Sequence, residues 1–358
     1  MSHLEARLER DLNQIRQQID DQAKLVQEAI KQSVHALQTG NSKLAYATVL
    51  NDHPINRKMR EIDRLCHSFI AVHLPSAGHL RVISSTIRVN IALERIGDYA
   101  GTIARESVKL SSPPSGSTVD TLELVSGEAQ QILDQASSAF HENNAEAAKA
   151  VIKQAAKLEQ SLEPIYKRML SDISAENTRD QLGVFIILNQ LKRVADQAKN
   201  ICEDTVFSVT GDTKAPKVYN ILFLDERNSL RSQMAEAIGK MNFPNSGQYS
   251  SAGLTPADSV NQGLIDFLEG RGISPQEAEV RAVSDITYDE LVTFHIIVSL
   301  GNSVSEYIDE VPFHTTVLEW DVGPSPKADD SAAIESLYRE LAVKISDLMT
   351  LLRGEGAS

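Results

Sequence analysis

The chain has 358 residues, a formal net charge of −14, 42% hydrophobic residues and 23% charged ones. That length allows two or more domains. The acidic excess works against nonspecific DNA or RNA binding and against docking on bare anionic membranes, because all of these surfaces carry the same sign of charge. No stretch approaches the run of roughly 20 apolar residues that spans a bilayer. The charged opening MSHLEARLERDLNQ does not read as a signal peptide. Cys66 and Cys202 are the only cysteines and sit in apolar helical patterns, so they read as buried thiols rather than a disulfide. The expected location is the cytoplasm.

From Leu4 to about Phe207 apolar residues recur at helical spacing, as in Leu8, Leu12, Ile15 and Ile19 and again in Ile83, Ile87 and Ile91. Breaks are expected at Thr39-Gly40-Asn41, near Pro75, across SSPPSGS at Ser111–Ser117, near Glu142-Asn143-Asn144 and near Ser174–Thr178. The pattern predicts about six helices in two sets of three, over residues 1–110 and 118–210. The sets share an internal repeat. Leu93–Glu106 reads LERIGDYAGTIARE and Leu191–Asp204 reads LKRVADQAKNICED. An apolar residue, Arg, an apolar residue, a small residue, Asp, then Ala and Ile fall at the same offsets on the third helix of each set, which is economical as two copies of one three-helix bundle.

Gly211–Lys217 (GDTKAPK) forms a polar linker, and residues 218–358 change pattern. Val218–Leu224, His295–Ser299 and Thr315–Trp320 read as strands, and Arg231–Met241, Asp258–Arg271 and Asp330–Leu352 as helices. Their alternation predicts an α/β domain with a parallel sheet and a ligand site at the carboxyl ends of its strands. The chain is thus expected to be multidomain, with an all-α N-terminal half and an α/β C-terminal domain.

In the helical half, Glu94 and Asp98 are four apart and share a helix face; Lys192 and Asp196 take their places in the second copy. Such a pair can hold a cation if neighbouring helices add ligands, for which Asp52, Glu61 and Asp63 are candidates; a solvated acidic stripe is the alternative. LERIGDYAGTIARE resembles the acidic ExxxD motif of the PhoU family, and the resemblance covers about residues 5–210, repeat included. It implies a cytoplasmic homodimer, peripheral at the inner membrane through its partner, that restrains a phosphate ABC transporter and a phosphate-sensing histidine kinase. It also implies iron or zinc at the acidic motifs, here Glu94 and Asp98 in repeat 1, to which Asp52 is the candidate addition from the preceding helix, and only Asp196 in repeat 2. Lys192 replaces an acidic residue of that motif, and Tyr99 and Gln197 stand where the family commonly has His.

After the first predicted strand, ILFLDERNSLRSQMAEA (Ile221–Ala237) places Asp225 and Arg231 in a D-x5-R loop that opens a helix. Backbone N–H groups of such a loop can cradle an oxyanion that Arg231 grips, Asn228 and Ser232 can hold the loop shape by side-chain hydrogen bonds, and Asn228, Ser229, Arg231 and Ser232 are the expected oxyanion-binding residues. The stretch resembles the low-molecular-weight protein tyrosine phosphatase and arsenate reductase family through Ile221–Leu224, Asn228, Ser229 and Arg231–Glu236, with Ser251-Ala252-Gly253 matching its next loop segment. The resemblance covers about 218–353 and implies a four-stranded parallel sheet. It fails at the residues that do that family's chemistry. Asp225 stands at the nucleophile position, Leu230 where arsenate reductases have a second cysteine, and no cysteine follows Cys202. In Trp320–Pro326 (WDVGPSP), Asp321 sits early and Gly323 and Pro324 fall where the family's acid is expected. Two uses of the loop remain. It binds phosphate or arsenate without turning it over, or Asp225 pairs with Arg231 and fills the cradle. The expected function is a non-catalytic phosphate-signalling regulator. The alternatives are an aspartate-dependent phosphatase or arsenate-handling enzyme needing magnesium, and a metal-binding helical protein.

Overall fold

In the computed structural model, which describes residues 3–171, 177–272 and 279–358, the periodic half forms α1 (His3–Thr39), α2 (Ser42–Leu50), α3 (Asp52–His73), α4 (Ala77–Lys109), α5 (Ser117–His141), α6 (Ala145–Ser171) and α7 (Thr178–Thr210). Each long helix buries one apolar stripe; α1 buries Leu12, Ile15, Ile19, Val26, Ile30 and Leu37. Gly40, at φ 65°, turns the chain after α1, and Asn41 caps α2 by accepting from Leu44 N at 3.1 Å. The first set differs from the expected three helices because α2 and α3 separate at Asn51. Pro54 lies in the first turn of α3, where it lacks an N–H and its ring would clash with the Leu50 carbonyl of a continuous helix. Most of the break expected at Ser174–Thr178 lies outside the described residues.

The repeat has a packing cause. Leu93, Ile96, Ala100 and Ile103 of α4 and their counterparts Leu191, Val194, Ala198 and Ile201 of α7 are all buried in one core shared by both sets. Residues Met1–Lys214 form one compact unit and Ala215–Ser358 a second.

The second unit contains β1 (Tyr219–Asp225), α8 (Arg231–Asn242), β2 (Gly247–Gly253), α9 (Gln262–Glu269), α10 (Tyr288–Leu291), β3 (Ile296–Leu300), β4 (Thr316–Trp320) and α11 (Ser331–Arg353). The strands form one parallel sheet of order β2-β1-β3-β4. Alternate residues of β1 feed opposite faces. Ile221 and Phe223 pack with Met234, Leu264 and Leu341, while Leu222 and Leu224 pack with Ile286, Phe294 and Ile308. Ser251-Ala252-Gly253, expected in a loop, instead ends β2, whose sequence GQYSSAG lacks a β-branched run; pairing with β1 makes it a strand. The helix expected from Asp258 starts at Gln262, because Asn261 caps it by accepting from Gly263 N at 2.9 Å. Chain order reverses across β1, which puts the loop after Asp225 at the sheet's switch point.

Candidate functional site

β1 delivers Asp225 to the end of the sheet with 3% of its surface exposed. The loop then folds over it. Asn228 adopts φ 45°, and Gly253 on β2 leaves room, since a Cβ there would lie 2.7 Å from Asn228 N. All four hydrogen-bonding positions of the Asn228 amide are used within the protein. Nδ2 donates to Ser232 Oγ (2.9 Å) and Ser251 Oγ (2.7 Å), and Oδ1 accepts from Gln233 Nε2 (3.1 Å) and Arg281 N (2.8 Å). The Asn228 side chain thus holds the shape of the loop, as expected from its residue type and position.

The carboxylate of Asp225 lies inside the cradle. Its Oδ1 accepts from Arg227 N (3.2 Å), Asn228 N (2.6 Å) and Ser232 Oγ (3.0 Å), and Oδ2 accepts from Ser232 N (3.3 Å). Ser232 is in the first turn of α8, whose N-cap residue Leu230 has no side-chain acceptor; Asp225 supplies the negative charge that a helix N-terminus favours. Arg231 completes the arrangement, with Nε 3.7 Å from Asp225 Oδ2 and Nη1 donating to Gly323 O at 2.9 Å. Ser229 contributes its carbonyl, which accepts from Asn261 N at 2.9 Å. The hydroxyl and N–H of Ser232 thus already have an acceptor, and Arg231 faces a carboxylate of the chain itself.

Three neighbours set the chemistry of the site. Glu226 accepts from Thr255 Oγ1 at 3.2 Å, so its carboxylate is engaged with the loop after β2. Asp321 accepts from Gly323 N at 3.1 Å and closes its own turn. Tyr307 is buried, with a hydroxyl that has no hydrogen-bond partner; burial and the charges of Asp225, Glu226 and Glu306, opposed by Arg231, push it up to about 12.

In the helical unit, desolvation first and then the charges of Asp98 and Asp52 raise Glu94, with Arg95 opposing; desolvation first and then the charge and hydrogen bond of Asp52 raise Asp98, with Arg105 opposing. Asp52 accepts from Asn56 Nδ2 at 2.8 Å through Oδ2, while its buried Oδ1 has no hydrogen-bond partner. Glu61 and Asp63 stand nine and eleven residues further along α3, about 14 and 16 Å from Asp52, and Asp63 pairs with His67 Nδ1 at 3.5 Å. Tyr99 is buried beneath the Arg193 guanidinium, 4.5 Å from its ring centroid. Among the described residues no three His, Cys, Asp or Glu side chains converge as a ready-made metal site. Repeat 1 nevertheless suits a cation in charge and in the orphaned Asp52 oxygen. Repeat 2 does not: Lys192 Nζ lies 3.0 Å from Glu159 Oε1 and 3.3 Å from Asp196 Oδ2.

Residues 19–107 and 122–205 match the PhoU domain model, and residues 220–355 match that of the low molecular weight phosphotyrosine protein phosphatases. The chain joins a PhoU repeat pair to a low molecular weight phosphatase-family domain. Among PhoU relatives, the phosphate-specific transport system accessory protein PhoU homolog of Pseudomonas aeruginosa is 28% identical over 218 residues, spanning 58% of this chain and 88% of its own. That of Synechocystis is 26% identical over 204 residues, spanning 57% and 91%. The crystal structure of PhoU from Pseudomonas aeruginosa superposes with a TM-score of 0.52 and 28% identity, covering 57% of this chain and 99% of that one. Among the described residues no helix is long and apolar enough to cross a membrane.

Sequence reasoning missed Tyr307, Glu159, Gln233, Gly301 and the Gly323 carbonyl. Gly301 leaves space for Arg231, since a Cβ there would approach Nη1 to 3.0 Å at φ 112°. The Gly301-Asn302-Ser303 turn after β3 was the available signal.

Proposed function

We propose that this protein is a regulator of phosphate uptake and phosphate signalling. Its PhoU half would work, as a homodimer, with a phosphate transporter and a phosphate-sensing histidine kinase, and its phosphatase-family domain would be a non-catalytic scaffold. The fusion of two phosphate-related domains supports the regulatory reading. The observation that carries the second part is the position of the Asp225 carboxylate, which takes the N–H groups of Arg227, Asn228 and Ser232 and faces Arg231 as a bound oxyanion would. An aspartyl-phosphate route would need a magnesium ion beside Asp225, and the nearest acidic neighbour in sequence, Glu226, is held by Thr255.

Two experiments test the two parts. Deleting the gene should release phosphate uptake and phosphate-starvation reporters from control in phosphate-replete cells, and normal control would refute the regulatory reading. The purified chain should release no phosphate from p-nitrophenyl phosphate with or without magnesium. Turnover that disappears in Asp225→Ala would instead make the domain an aspartate-dependent phosphatase.

A further inference from the structure

The internal repeat allows one half of the protein to serve as a control for the other. Glu94 and Asp98 on α4 correspond to Lys192 and Asp196 on α7. In the first copy, Glu94 and Asp98 both feel the Asp52 carboxylate, whose buried Oδ1 has no geometric hydrogen-bond partner. In the second, two carboxylates from different helices, Glu159 of α6 and Asp196 of α7, approach a single ammonium at 3.0 and 3.3 Å. We infer that Lys192 is a tethered cation, holding by a covalent arm the place between Glu159 and Asp196 and so barring a divalent metal from repeat 2.

Charge and burial both support this. The Lys192 side chain is only 16% exposed, so its ammonium does not simply snorkel to solvent. At the two matched positions the formal charge is 0 in repeat 2 (Lys192, Asp196) against −2 in repeat 1 (Glu94, Asp98). A metal entering repeat 2 would have to displace a cation that cannot diffuse away.

The test uses the full chain with repeat 1 silenced by Glu94→Gln and Asp98→Asn, and Zn²⁺ as the probe, measured by equilibrium dialysis with elemental analysis and by thermal unfolding. Adding Lys192→Glu to this parent should gain one Zn²⁺ per chain, bound about tenfold or more tighter than by the parent. That gain should vanish with Asp196→Asn. A Lys192→Glu protein with native circular dichroism and no more Zn²⁺ than its parent would overturn the inference. Lys192→Gln guards against a folding failure: Zn²⁺ should raise its melting temperature relative to the parent's, and an equal response would count against a tethered cation.

Discussion

Replacing Asp225 with Ala separates a filled cradle from an open one. The change removes the acceptor of the Arg227 and Asn228 N–H groups and of both Ser232 donors, and takes the carboxylate away from Arg231, which keeps only its hydrogen bond to Gly323 O. Removing one member of a buried ion pair costs about 3–5 kcal/mol. For a domain spanning residues 215–358, at roughly 4 °C per kcal/mol, that corresponds to a melting temperature lower by about 12–20 °C in buffer without oxyanions. The vacated donors then suit phosphate. At 100 times its Kd an anion that binds only the folded state returns about 2.7 kcal/mol, or roughly 11 °C. Trp320, the chain's single tryptophan, lies on β4, so its fluorescence follows this domain in the intact protein. The expected result is a destabilised variant rescued by phosphate and a wild type indifferent to phosphate at matched ionic strength. A wild type that shifts as far as the variant, or a variant that phosphate does not rescue, would refute the filled-cradle reading.

Other substitutions probe the surrounding structure. Gly253→Ala pushes a Cβ to 2.7 Å from Asn228 N and should cost about 1–3 kcal/mol in denaturant unfolding followed by Trp320. Cys66 and Cys202 are buried, with thiols pushed up to about 12, chiefly by desolvation; both should resist iodoacetamide at pH 8 until denaturant is added, and mass spectrometry will count the adducts. Asp98 is raised by burial and by Asp52, so the folded state holds that proton more tightly than the unfolded chain. The resulting stability is present at low pH and lost as pH rises through the raised value. In metal-free buffer Asp98→Asn should therefore raise the melting temperature of the helical half at pH 7, and the difference should shrink toward pH 4.

Much of the architecture was legible in the chain itself. A helical period maintained over long stretches requires a buried stripe, and the matched Leu93/Leu191, Ile96/Val194 and Ile103/Ile201 positions repeat because each occupies the same place in a shared core. The breaks at Gly40 and SSPPSGS follow from local backbone chemistry. The split at Asn51 was legible too, but only by giving Pro54 more weight than the apolar periodicity around it. β2 was not legible, because GQYSSAG carries no propensity of its own and becomes a strand by pairing along β1.

The amino-acid sequence by itself also determined what the C-terminal loop lacks: Asp225 stands in the nucleophile's place and no thiol follows Cys202. Only the tertiary structure decided what the substituted side chains do. Asp225 turns inward onto N–H groups of its own loop, Arg231 is held by the carbonyl of Gly323 from a distant turn, and Lys192 meets Glu159 from another helix. Periodicity and spacing report which face of an element is buried. They carry no information on which distant partner will satisfy a buried charge, because that depends on how the elements pack and on the cost of leaving the charge unpaired.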